Sequence, residues 1–246
     1  MRKMSAFLFA VLVLAILSCT ANANFLGTVQ MWNTGVGANE PMTVWGGGRD
    51  GVDVYAGAYM FKKTGGSGEG KLWSNGAMSG FCVELGEPAP EINSKYSVIP
   101  LDKGPFSGPM GATKADYISE LWGRFYDSSW ASGGYYSDKQ NTKAAAFAAA
   151  IWEILYEDLP VSPLKWNVKI DGTTGTGGFY TNFGDSSLAN SWLHTLDGAG
   201  PKADLRVLSH NGYQDYIVAV PEPTTVVLLG FGGVLSLLRR RRRTIK

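Results

Sequence analysis

The sequence has almost none of the residues that build metal or redox chemistry. Of its 246 residues, two are cysteine and two are histidine. Cys19 lies in an N-terminal leader, so a mature body keeps Cys82 alone. One cysteine closes no internal disulfide and holds no zinc by itself. His194 and His210 stand apart, with no HExxH and no paired Cys/His spacing. Neither a metal nor a cofactor is therefore expected. No G-x-S-x-G nucleophile elbow occurs. The glycine run at residues 65–70 lacks the Lys-Ser/Thr that a phosphate loop needs. Charge is also sparse, at 17% of residues, and it is unevenly placed. Residues 24–220 carry 14 Lys and Arg against 20 Asp and Glu, a formal −6. An acidic body excludes nucleic acid as a natural partner, because phosphate binding needs basic patches.

What the chain does have sits first at its two ends. Arg2 and Lys3 precede an apolar run over residues 6–17, and Ala21-Asn22-Ala23 follows. That order reads as a secretory signal peptide over 1–23, cleaved after Ala23 and delivered to the Sec machinery. A lipoprotein anchor at Cys19 is the alternative, although Leu17 is bulky where such sites take a small residue. At the other end, Pro221-Glu222-Pro223 is followed by a largely apolar stretch over residues 226–238. Arg239, Arg240, Arg241, Arg242 and Arg243 come next. Thirteen helical residues span roughly 20 Å, short of the ~30 Å hydrocarbon core, and snorkelling arginines make up the difference. The arginines put this end on the cytoplasmic side and the body outside.

This three-part tail, residues 220–246, resembles the PEP-CTERM sorting signal of Gram-negative bacteria, which is also labelled an ice-binding protein C-terminal domain. The resemblance implies export across the inner membrane and transient anchoring by the C-terminal helix. It further implies recognition and cleavage by an exosortase, then release to the cell surface or a biofilm and exopolysaccharide matrix. An ordinary single-span anchor is the plainer alternative.

The body, residues 24–219, reads as one α+β domain whose strands at both ends enclose a helical middle. Its 32 glycines and 12% aromatic content suit an ordered, β-rich extracellular domain. Strands are expected at residues 28–31, 42–45, 52–61, 80–85 and 96–101, with the glycine runs at 46–48 and 65–70 as flexible turns. Thr113 to Asp116 reads as a helix cap ahead of the stripe Ile118, Leu121, Trp122 and Phe125. Ser137-Asp138-Lys139-Gln140 is a capping box opening a central alanine-rich helix. On that helix Phe147, Ile151, Ile154 and Leu155 form a buried stripe, and Lys139, Glu153 and Glu157 face away. A strand over 166–170, a helix over 185–196 and strands over 204–208 and 213–220 complete the reading.

One constellation carries chemistry. Phe81-Cys82-Val83-Glu84 with Ala150-Ile151-Trp152 resembles the thioester domains of bacterial surface adhesins. In those domains a strand cysteine acylates a helix glutamine with loss of ammonia, and a surface nucleophile then attacks. The resemblance implies a thioester-domain-like fold over much of residues 55–220. The chain departs from it at the reacting position. Ala148 stands where the glutamine belongs, and a methyl group offers no carbonyl to Cys82. Gln140 lies eight residues upstream, roughly 12 Å along a helix, and Asn141 about two turns away. Gln214 is allowed by spacing, although no motif marks it.

The reading that follows is a sorted structural or adhesive matrix protein without catalysis, with Cys82 and Ala148 as a degenerate thioester site. Extracellular polysaccharide is the expected partner of such a body. A carbohydrate- or ice-binding module is one alternative, using aromatics among Tyr55, Tyr59, Trp73, Trp130, Tyr135 and Tyr136. A covalent thioester adhesin is another. A secreted glycoside hydrolase would need carboxylates such as Glu84, Glu153 and Asp158 to face each other across a cleft.

Overall fold

The computed structural model describes residues 24–105, 107–170 and 178–222. The stretches expected to be a signal peptide and a short apolar tail helix, and the five arginines, lie outside them. Among the described residues no helix is long and apolar enough to cross a membrane.

The alanine-rich stretch sets the architecture. It forms α2, Asp138–Tyr156, and every residue from Ala144 to Leu155 is buried. A helix buried all round must be covered on every side. Strands β1 (Gly27–Gly46) and β2 (Arg49–Gly68) cover one side. Helices α1 (Gly111–Phe125) and α3 (Ser186–Leu193) cover the rest. Alanine suits this position, because it has the highest helix propensity and lets neighbours approach closely. The capping box is present in both directions. Ser137 Oγ accepts from the Gln140 N–H at 3.4 Å, and Gln140 Oε1 accepts from the Ser137 N–H at 3.1 Å. At the far end Lys114 Nζ donates to the carbonyls of Leu155 and Glu157 at 2.7 and 2.6 Å, a cation on the negative helix terminus.

The remaining strands are β3 (Gly76–Cys82), β4 (Ser94–Pro100), β5 (Tyr180–Asn182), β6 (Leu205–His210) and β7 (Tyr213–Ala219). All pairings are antiparallel. Following the ladder from β1 through β2, β3, β7, β6 and β4 returns to β1. The sheet therefore closes into a six-stranded barrel, which leaves no free edge along that circuit. The outer half of β1 carries β5 as a seventh strand.

Two interiors result. Val29, Met31, Phe61, Tyr96, Val98 and Tyr216 fill the barrel. A larger layer joins the three helices to the outer wall of the sheet. The shared strands alternate between the two. Val207 and Ile217 face the helices, and Leu208 and Val218 face the barrel. The long hairpin changes sides along its length. Val29 and Met31 belong to the barrel, but Met42 and Val44 belong to the helix layer. Register shifts between Gln30 and Asn39 mark the change, as bulges re-aim a strand.

Several expectations are corrected. Residues 65–68 continue β2 and pair with β1, and 69–71 form a 3-10 turn, so this glycine run is ladder before it is turn. Glycine is needed there for close approach. A Cβ on Gly70 would lie 1.8 Å from the Thr28 carbonyl oxygen. Residues 166–170 form turns, and the strand of that region is β5. Helix α1 begins at Gly111, before Thr113, and has no side-chain cap. Glu153 is buried, with its carboxylate accepting the Asn167 N–H at 2.7 Å. A neighbouring backbone donor makes an apolar stripe irrelevant to where that side chain points.

Candidate functional site

Cys82 ends β3 opposite Tyr216 of β7, and its side chain belongs to the barrel interior. Phe81, one residue earlier, faces the other way. Its ring meets Phe147 at 4.9 Å and Trp122 at 5.6 Å in edge-on contacts. Ala148 packs in the helix layer with Phe81 and Val83. The strand thus gives the aromatic and the aliphatic residue to the helices and the thiol to the barrel. What joins α2 to Cys82 is main chain, with Trp152 Nε1 donating to the Cys82 carbonyl at 2.9 Å.

The thiol is held locally. It donates to the Glu84 carbonyl and accepts from the Glu84 N–H, both at 3.4 Å. Burial pushes its pKa up to about 12, with the carboxylates of Glu84 and Asp215 adding to the effect. A neutral thiol is a poor nucleophile. Tyr59 and Tyr216 surround the same space, and burial raises both phenols above their ordinary range. Tyr216 donates to Gln214 Oε1 at 3.3 Å, so the Gln214 carboxamide is already hydrogen-bonded. Gln140 serves the helix cap, and Asn141 accepts the Asn39 N–H at 3.1 Å.

Of the three carboxylates named for a hydrolase, Glu153 and Asp158 line one cavity and Glu84 does not. Glu84 lies beside Cys82, and burial raises its pKa. Glu153 and Asp158 border a cavity of about 310 Å³ beside Trp166 and His194. There Glu153 binds the Asn167 N–H and Glu157 binds the Phe179 N–H at 2.8 Å. His194 Nε2 lies 2.9 Å from the Trp166 carbonyl. These groups tie the segment after α2 to the helix. Glu120, also buried, bridges Arg124 at 2.6 Å and the Gly198 N–H at 2.6 Å. Among the described residues no group of three or more His, Cys, Asp or Glu is placed to hold a metal ion.

Of the six aromatics expected at a binding surface, Tyr135 is 91% exposed and Tyr55 65% exposed. Trp73 and Trp130 are buried, and Tyr59 packs on the barrel cluster. Sequence reasoning did not single out Trp32, which is 44% exposed on β1. A large apolar residue within a period-2 strand gives no sign of which layer it faces.

The second region of interest is the end of the barrel where the chain leaves. Strand β1 starts there, β7 finishes there, and the Trp73 indole N–H donates to the Ala219 carbonyl at 2.8 Å. Pro221 and Glu222 follow at once, and Pro223 lies outside the described residues. A family model described as the PEP-CTERM protein-sorting motif matches residues 219–243. No curated protein and no solved structure matches the chain. The motif marks an exported protein that an exosortase recognises and sorts to the cell surface.

Proposed function

We propose that this chain is a structural or adhesive component of a bacterial surface or exopolysaccharide matrix, and that its body acts by noncovalent contact. The observation that carries the reading is the separation of Cys82 from Ala148. The thiol is protonated within the barrel, and the residue where the resemblance puts a glutamine is a methyl group in another layer. The scaffold is thioester-domain-like without the bond. Glu120, Glu153 and Glu157 support a role without catalysis, because each is engaged with backbone N–H groups that hold the fold. Polysaccharide suits the exposed rings of Tyr135, Tyr55 and Trp32, since an aromatic face stacks on a sugar ring.

The sorting route belongs to the same reading. The chain crosses the inner membrane of a Gram-negative cell by the Sec route, and the signal peptide is removed after Ala23. The tail then anchors it until the exosortase cuts. Deleting residues 221–246 is expected to abolish envelope retention and tail processing, read by fractionation and immunoblot. Unchanged retention would refute the sorting role. Loss of polysaccharide binding in Tyr135→Ala, measured on a resin of the host's own exopolysaccharide, tests the adhesive role. Failure of the unaltered protein to bind that resin would count against it.

A further inference from the structure

No linker separates the sorting signal from the fold. Its match begins at Ala219, the last residue of β7, which pairs with Leu205 of β6. Two further bonds fix the root of the tail. Trp73 Nε1 donates to the Ala219 carbonyl at 2.8 Å, and the Val220 N–H donates to the Asp204 carbonyl at 2.8 Å. Trp73 is only 5% exposed, so its indole is set before the tail is engaged.

Beyond this root the chain enters a groove of about 1090 Å³. One wall is the connection from Leu72 to Asn75, and the other runs from Lys202 to Asp204. Pro221 and Glu222 line the groove themselves and are exposed within it. Glu222 thus leads into the tail from the groove wall. Three residues reach about 10 Å when extended. The sequence favours that form, because prolines at 221 and 223 fix φ and push Val220 and Glu222 out of the helical region. A Pro-x-Pro segment in this left-handed extended form is stiff, and aromatic-lined grooves bind it at little entropic cost. Leu72 and Ala77 line the wall beside the small part of the Trp73 ring that is left exposed.

We propose that this groove is the seat of the chain's own segment 223–225, with Trp73 holding its root. The folded body then displays the sorting motif in one pose, and an unfolded body does not. The proposal rests on the sorting reading for its purpose, and on the groove and the Trp73 bond for its geometry.

Disulfide trapping in the full-length chain, kept in membranes of a host without exosortase, tests the seating. Ser74→Cys combined with Thr224→Cys pairs a groove wall with the tail. Lys71→Cys combined with Thr224→Cys uses the same connection outside the groove. The groove pair is expected to form its disulfide several-fold faster under mild oxidant, read by protection from a maleimide-polyethylene glycol. A flexible Gly-Ser linker of about a dozen residues between Val220 and Pro221 is expected to erase the preference, because a long flexible tether samples both sites. Equal rates for the two pairs in the unextended chain would overturn the proposal. Both arms read seating alone, so they remain decisive if deleting the tail leaves retention unchanged.

Discussion

Phe81 and Cys82 are neighbours in the chain but belong to different interiors. The helix layer around Phe81 is built from close-packed alanines and interlocking aromatic edges, with Phe147, Trp122 and Trp130 all against that one ring. The barrel around Cys82 holds Tyr96 and Tyr216 with Tyr59 packed against them, and the Tyr216 hydroxyl donates to Gln214. The first is a packing device, and small changes of volume are felt in it. The second is an interior whose burial keeps a thiol neutral. The difference shows why a likeness in local sequence need not carry a likeness in chemistry. Aromatic-Cys-aliphatic fixes a strand with two faces, and the reaction depends on which face the helix meets.

The comparison is broken most severely from the helix side. Phe81→Ala is expected to cost about 3–5 kcal/mol, because the ring is fully buried and its neighbours cannot close the gap. Urea unfolding followed by tryptophan fluorescence measures it. Ala148→Gln is expected to cost about 1–3 kcal/mol, by overfilling the helix layer and burying a carboxamide there. Its intact mass is expected to show the substitution alone. A further loss of ammonia would mean that residue 148 and Cys82 can meet. Cys82→Ala, on the barrel side, is expected to cost on the order of 1 kcal/mol, since it removes one small buried atom and no paired charge.

The smallest effect concerns a helix end outside both interiors. Asp127 caps the 3-10 turn Ser128–Ala131, and the Ser129 N–H holds its carboxyl below the ordinary range. A lowered folded pKa stabilises the protein above the unfolded value of about 3.9, and the benefit is lost as pH falls through the folded value. Asp127→Asn is therefore expected to flatten the acid limb of stability below about pH 4 by less than 1 kcal/mol, because the group is exposed and solvent screens it. An unchanged acid limb would remove Asp127 from the account.

Much of the body was readable because its signals are local. The capping box at Ser137 and Gln140, the alanine helix and the strands of residues 205–219 need only near neighbours to specify them. Closure of the barrel was not readable. It depends on β1 pairing with β4 across more than sixty residues, as Gly27 with Val98 shows. The strand character of residues 65–68 was hidden for the same reason, since only pairing with Gly27 and Thr28 makes an ordered ladder of flexible residues. The burial of Glu153 is not legible either, because charge signals solvent until a buried partner appears. At the candidate site, Ala148 could be read directly as a missing carbonyl. The face of Cys82 could not, because alternation along a strand is defined only relative to the layers around it. The tail was the reverse case. Its order of Pro-Glu-Pro, apolar stretch and arginines identifies it in sequence, but its bond to Trp73 across 146 positions does not.

The most direct measurement of the central claim is the intact mass of the exported, signal-peptide-free protein, taken with thiol labelling before and after unfolding. The account predicts the mass of the unmodified sequence. It also predicts a single thiol, Cys82, that resists iodoacetamide in the folded state and reacts fully in denaturant. A mass lower by about 17 Da, the ammonia lost in forming an internal thioester, with no thiol to label after unfolding, would contradict it.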